Sequence, residues 1–259
     1  FHMSLEGTDL DKLALSTEKL LAGTDSKITT IGYYCNPIQY AEHRKTLENV
    51  ICTAGEFGAT HVSTFAGAWE GKPVESAYEE FGKVFRELAD LAEEKGVKLG
   101  IENCLMDGTW EHATCNIGFN PKAWEVMFEE VKNDNFGLEW EPTHQMVQLI
   151  DPVTELRKWC KKIVHIHGKD ATIDWDAVRH SGISGAVPFV WHRMPGFGDT
   201  NWRDIISILR SNGYEDDICI EGYHDPVYSG ELEMTGQLHA LNYLKWCRGG
   251  EFTPTPWAK

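Results

Sequence analysis

Six short apolar runs, each followed by a longer stretch of helical spacing, constrain this chain more than any other feature. They are ITTIGYYC (28–35), THVSTFA (60–66), VKLGIEN (97–103), FGLEWE (136–141), IVHIH (163–167) and ICIEG (218–222). Each is rich in β-branched residues and nearly continuous in apolar ones, as strands buried on both faces are. Between the runs the apolar period lengthens. In 74–95, Tyr78, Phe81, Phe85, Leu88 and Ala92 recur at three- and four-residue steps, with Glu79, Glu80, Arg86, Glu87 and Glu94 off the stripe. Gly96 ends that helix and Val97 opens the next strand. Asn120-Pro121 and Asp151-Pro152 read as helix caps followed by proline at the first helical position. Residues 201–211 and 232–247 supply two more helices.

Strand–helix alternation of this kind means a parallel sheet with right-handed crossovers. Two observations favour a closed barrel over an open doubly wound sheet. No G-x-G-x-x-G follows the first strand. Polar residues gather at the C-terminal ends of successive strands, where barrel active sites are built. The expectation is therefore an α/β fold, a (β/α)8 TIM barrel, as a single domain over residues 1–259. The strand count falls short of eight, even with Phe1–Glu6 taken as the end of a seventh. That predicts a chain lacking the first β/α unit, roughly thirty residues, or one whose Phe1, His2 and Met3 are an appended remnant.

Charge and cysteine content narrow the function. The net charge is -16, which repels phosphate backbones and argues against a nucleic-acid partner. Arg157-Lys158 and Lys161-Lys162, the short basic clusters, read as the last turn of a helix. No stretch approaches the ~18 apolar residues of a membrane span, and no secretory signal is visible. The seven cysteines, Cys35, Cys52, Cys104, Cys115, Cys160, Cys219 and Cys247, include no C-x-x-C pair. Reduced thiols in a cytoplasmic protein follow, with Cys160, Cys219 and Cys247 as small core residues.

The strand ends carry the chemistry. VKLGIEN ends in Glu102-Asn103, and FGLEWE ends in Glu141 with His144 beyond. IVHIHGKD delivers His165, His167, Lys169 and Asp170, and ICIEGYHD delivers Glu221, His224 and Asp225. In a barrel these ends converge. Three carboxylates in one apolar pocket repel one another and are costly to desolvate, and a divalent cation relieves both. Three carboxylates and one imidazole suit Mn²⁺ first, with Mg²⁺ or Co²⁺ as alternatives. The ligand set read from these ends is Glu102, Glu141, His167 and Glu221. Glu139 and His165 share faces with Glu141 and His167 by the period of two, and stay outside the set. Trp69 and Trp110 are placed as platforms for a sugar face, against the plainer reading of loop packing.

The series IENC (101–104), FGLEWEPTH (136–144), VHIHGKDA (164–171), HRMPGFGDTNW (192–202) and CIEGYHDP (219–226) resembles the xylose-isomerase-like TIM barrels of the sugar phosphate isomerase/epimerase family. Ketose 3-epimerases and inosose dehydratases belong to that family. The resemblance runs from about residue 28 to 247. It implies the same four metal ligands, with Glu102 and Glu221 doubling as the acid/base pair. It implies that His144 and Arg193 contact substrate and that Lys169 faces bound oxygens. There are departures. Relatives carry D-P-S-H where this chain has E-P-T-H, and one methylene shifts the Glu141 carboxylate by over ~1 Å. The epimerases' further substrate-binding Glu is missing from LMDGT (105–109), where Asp107 is a weak stand-in. E-P-x-H-Q-M, G-T-W and N-P-K-A-W are more similar to barrel subunits that act on oxidised glycosides, such as the large subunit of C-glycoside deglycosidases with its small β-rich partner.

The chemistry implied is proton abstraction next to a metal-bound carbonyl, with a carboxylate or His144 as base and Arg193 on a closing loop. Isomerase or epimerase is the first reading. A lyase or dehydratase on a keto-sugar or keto-glycoside is the second. An AP-endonuclease-type phosphodiesterase and a non-catalytic sugar-binding subunit are further alternatives. The implied partners are a small sugar or keto-glycoside and either copies of this chain or a small subunit.

Overall fold

The structure is a computed structural model that describes residues 3–251 and 253–255. By its internal contacts the chain divides into two compact units. The first runs to Trp140 and takes in Lys162–His165; the second holds Glu141–Lys161 and continues from Ile166.

In the first unit the order is α1 (Leu10–Leu21), β1 (Thr30–Gly32), α2 (Ala41–Thr53), β2 (His61–Thr64), α3 (Tyr78–Glu94), β3 (Lys98–Glu102), α4 (Pro121–Glu130) and β4 (Phe136–Trp140). The four strands pair in chain order and all in parallel, with Ile31 beside Val62, Val62 beside Leu99 and Leu99 beside Phe136. The same register sets Glu102 beside Glu139. The stripe predicted on α3 is buried: Phe81, Phe85, Leu88 and Ala92 are sealed from solvent. Phe81 stacks on Phe85 at 4.6 Å and both rings meet Phe136 on β4. Each such ring contributes about 1.5–3 kcal/mol by leaving water. Gly96 ends the helix at φ +68°, a left-handed position that costs a glycine little. The first turn differs from the sequence expectation. Val74–Ala77 is a 3₁₀ turn, because Ser76 donates both its N–H and its hydroxyl to the Pro73 carbonyl. Helices α1 and α2, which the apolar spacing left unmarked, pack here as well; Leu47, Val50 and Ile51 bury α2.

The second unit contains α5 (Thr143–Met146), α6 (Pro152–Trp159), β5 (Ile163–Gly168, from Ile166), β6 (Asp170–Ile173), α7 (Trp175–Ser181), β7 (Val190–Arg193), α8 (Trp202–Ser211), β8 (Ile218–Ile220) and α9 (Glu233–Cys247). Strand β8 lies parallel to β5, with Ile218 beside Ile166 and Cys219 beside His167. Helices α4 and α6 begin where the caps predicted: the Asn120 side chain accepts from Lys122 N and the Asp151 side chain from Thr154 N.

Several expectations need correction. Phe1–Glu6 is not a strand in its described part, since Leu5 accepts a turn hydrogen bond from Thr8 N; Phe1 and His2 lie outside the described residues. Most strands are shorter than the apolar runs: β1 ends before Tyr33, Tyr34 and Cys35, and β2 before Phe65 and Ala66, while β5 extends one residue past its run to Gly168. Strands β6 and β7 form an antiparallel pair that the sequence reading did not contain. Cys160 is buried as predicted, but Cys219 and Cys247 are only partly so. Among the described residues no helix is long and apolar enough to cross a membrane.

Candidate active site and metal centre

The first unit ends its strands in buried polar groups. Glu102, the last residue of β3, is 7 % exposed. Its backbone is held by a residue the sequence reading passed over, Asn116. The Asn116 amide donates to the carbonyls of Glu102 and Cys104, both at 2.9 Å, and accepts from the N–H groups of Ala66 and Gly118. One wholly buried side chain therefore clamps the ends of β2 and β3. Its signal, an isolated Asn in CNIGFN, is too common to single out. Glu139 on β4 is sealed from solvent. It accepts from Tyr34 Oη at 2.8 Å on one oxygen and from His165 Nδ1 at 2.6 Å on the other. Both lone-pair faces of that carboxylate are thus held by hydrogen bonds, as a buried charge requires. Trp69 and Trp110 also lie in this unit, both partly exposed. The Trp110 indole donates to Glu75 at 2.5 Å, which ties it to the Val74–Ala77 turn. Asp107 is exposed, in a left-handed turn at φ 57°.

In the second unit the polar strand ends gather. Glu141 follows β4 directly and is wholly buried, and Pro142 opens the short helix α5 that carries His144. His144 Nε2 stands 2.8 Å from Glu141 Oε1. His167, on β5, points Nδ1 at Glu141 Oε2 (3.5 Å) and at Glu221 Oε2 (3.2 Å). Glu221 follows β8, its N–H bonded to the Gly168 carbonyl. Lys169 is buried between β5 and β6, with Nζ 2.6 Å from Glu221 Oε1 and 3.9 Å from Glu141 Oε1. Burial alone would push the Glu141 carboxyl up, but the charges of His144 and Lys169 outweigh it and hold the group well below the usual carboxylate range. Glu141 is therefore an anion at neutral pH despite its burial. One ligand atom each from Glu141, His167 and Glu221 lies within 4.8 Å of the others.

A model of one protein family matches residues 4–245, nearly the whole sequence. The chain belongs to the xylose isomerase-like TIM barrel family. The barrel is the fold of its structural neighbours too. An inosose dehydratase of Clostridium tetani is 26 % identical over 182 residues, 68 % of this chain and 57 % of that protein. The chain thus spans little more than half the length of that relative. The solved structure of the IolI protein with a bound zinc atom superposes with a TM-score of 0.64 at 21 % identity, covering 94 % of this chain and 81 % of that one. D-Psicose 3-epimerase, solved in the presence of D-fructose, gives 0.69 at 15 % identity, covering 95 % and 86 %.

Around the carboxylates, this TIM barrel holds its loops with two further buried aspartates. Asp225 accepts from the N–H groups of Met194, Val227 and Tyr228, each at 2.8 Å, and from Arg193 Nε at 3.3 Å. It therefore fixes the Arg193 guanidinium, which also lies over the Phe197 ring. Burial pushes the Asp225 carboxyl up, but those N–H donors and Arg193 bring it below its ordinary value. Asp170 accepts from Ala171, Gly196 and Thr200 N–H groups, and burial raises its carboxyl all the same. Gly198 is required there, because a Cβ at that position would collide with the Asp170 carboxylate. Three histidines line up edge to face: His192 meets His144 at 6.0 Å and His224 at 5.6 Å between ring centroids. Burial, then the charges of Lys169 and His144, push His192 down to about 4, so it is neutral at pH 7. His224 holds a left-handed backbone at φ 72°, unusual for a residue with a Cβ. Sequence reasoning had noticed Asp225 and His224 at a strand end but gave them no role, and it missed His192.

Proposed function

We propose that this chain is a divalent-metal-dependent enzyme that removes a proton from the carbon next to a sugar carbonyl. The observation that carries the reading is the spacing around His167. Two donors each ~2.1 Å from one ion, at 90–110°, stand ~3.0–3.4 Å apart. His167 Nδ1 is 3.2 Å from one Glu221 oxygen and 3.5 Å from one Glu141 oxygen. Glu141 and Glu221 both face His167, and a divalent ion between them would relieve the repulsion of the two carboxylates. Oxygen and imidazole donors without thiolate suit Mn²⁺, Mg²⁺, Co²⁺ or Zn²⁺, and we favour Mn²⁺. Glu141, His167 and Glu221 would hold the ion, with Glu102 as the fourth ligand of the family pattern. When bound, the ion would polarise the substrate carbonyl as a Lewis acid.

The chain's own residues do the rest. Lys169 and Arg193 bind substrate oxygens, the latter oriented by Asp225. His144, its Nε2 2.8 Å from Glu141, contacts the reacting end of the sugar. Glu102 and Glu221 act as the acid/base pair. Returning the proton to the other face gives an epimer, and returning it to the neighbouring carbon gives an isomer. Loss of a β-hydroxyl, protonated to water as it leaves, gives dehydration. Isomerisation or epimerisation is the first reading. Dehydration is the second, favoured by the dehydratase named among the relatives. The single family match from 4 to 245 supports one working domain.

The test is incubation with keto-sugars in D₂O with mass and NMR readout. Deuterium should enter next to the carbonyl, and Glu221→Gln should abolish it. A product lighter by one water marks the second reading. No exchange on any ketose, with metal bound, would contradict both.

A further inference from the structure

In the first unit the Asn116 side chain engages every hydrogen-bonding site it has. Its amide nitrogen donates to the carbonyls of Glu102 and Cys104, both at 2.9 Å. Its oxygen accepts from Ala66 N at 3.0 Å and from Gly118 N at 2.9 Å. The side chain is wholly buried, so it cannot turn without stranding donors and carbonyls where water does not reach. Its place in the fold matters as much as the bonds. The register of β2 with β3 ends at Thr64 beside Ile101, one residue short of Glu102. Asn116 takes over on that edge of β3 where the ladder stops. On the other edge Asn103 N donates to the Glu139 carbonyl at 3.3 Å. The backbone that carries Glu102 is therefore held from both sides.

A second buried asparagine supplies the contrast. Asn36 accepts from Gln39 N at 3.2 Å and from Ala68 N at 3.0 Å. It donates to the Ala68 carbonyl at 3.0 Å and to Glu70 Oε1 at 3.4 Å. It is an equally engaged amide, but those bonds tie the loop after β1 to the loop after β2 rather than to the end of β3.

We infer that Asn116 is a positioning residue for the reaction: it fixes the end of β3 so that the Glu102 carboxylate is aimed at the substrate, whereas Asn36 serves the loops alone. The inference rests on the proposed function, which gives Glu102 an acid/base role and a place among the metal ligands. Slack in the backbone at residue 102 passes directly to its carboxylate. A displacement of ~1 Å at a reacting group costs on the order of 100-fold in rate.

The test is a double-mutant cycle on the full chain, read by Mn²⁺ affinity in equilibrium dialysis, with α-deuteration of a ketose in D₂O alongside. Asn116→Ala should weaken Mn²⁺ binding about tenfold, the scale of losing a partner that orients a ligand. It should lower kcat for exchange with little change in KM. Placed on Glu102→Gln, it should cost no further Mn²⁺ affinity, because the group it aims is already gone. Asn116→Thr, whose hydroxyl can serve one of the two carbonyls, should fall between wild type and Asn116→Ala, and it stands in should the alanine variant not fold. Asn36→Ala should lower the melting temperature and leave Mn²⁺ affinity and kcat unchanged. Losses that add in the double variant, a wild-type kcat in the folded Asn116 variants, failure of both to fold, or an equal loss from Asn36→Ala would overturn the inference and leave the proposed function standing. A wild-type chain that neither binds Mn²⁺ nor exchanges would overturn the proposed function, and this inference with it.

Discussion

Two buried glutamates, two residues apart on one strand run, behave oppositely. In the first unit Glu139 is closed: a tyrosine hydroxyl holds one oxygen and an imidazole the other. In the second unit Glu141 is equally buried, but it faces His144, His167 and Lys169, groups with chemistry of their own. The histidines repeat the pattern, His165 with the first and His167 with the second. Burial and charge are therefore not what marks a functional carboxylate here. A carboxylate whose two oxygens are both taken up by hydrogen bonds serves the fold. One set among cations and a second carboxylate is poised to bind an ion.

Breaking the second member should cost the most. Glu141→Gln should lower Mn²⁺ affinity by at least ~100-fold, beyond what losing an outer partner costs, with little change in melting temperature; equilibrium dialysis and thermal unfolding would show both. Glu139→Gln should do the reverse. It weakens hydrogen bonds to a buried charge worth about 1.5–3 kcal/mol each, so denaturant unfolding should show a loss of that order while metal affinity moves by less than ~10-fold. If both variants lost metal equally, the contrast between the two glutamates would fail.

Much of this was legible beforehand. The strand–helix alternation reads directly from buried parallel strands, whose sequences are continuous in apolar residues, and the α3 stripe reads from its spacing. Glu141, His167 and Glu221 were visible because charge at the end of an apolar run is conspicuous. The β6–β7 pair was not, because VWHR is only half-buried and its antiparallel partner, Asp170–Ile173, lies about twenty residues earlier in the chain. Asn116 and His192 were hidden for a related reason. Each acts through partners far away in the chain, so no spacing announces it.

A smaller effect sharpens the second unit's side of the comparison. Asp225→Asn should loosen Arg193, raising KM more than it lowers kcat. It should also change the pH dependence of stability. The Asp225 carboxyl lies below its ordinary value in the folded protein. Its contribution is therefore present above ~4, the unfolded value, and is lost as pH falls through the lowered one. The gap in melting temperature between wild type and Asp225→Asn should be widest near neutrality and close below about pH 4. A gap independent of pH would remove the electrostatic part of the account. Smallest of all, Trp110→Phe loses one hydrogen bond to Glu75 and should cost about 0.5–1.5 kcal/mol. A large rise in KM instead would restore Trp110 as a sugar platform.

The central claim is that the Glu141, His167 and Glu221 cluster works through a bound divalent ion. Deuterium incorporation next to the carbonyl of a ketose in D₂O, followed before chelation, after it and after Mn²⁺ is restored, tests it most directly. Incorporation should vanish with the metal and return with it. The same rate in the metal-free protein would contradict the claim.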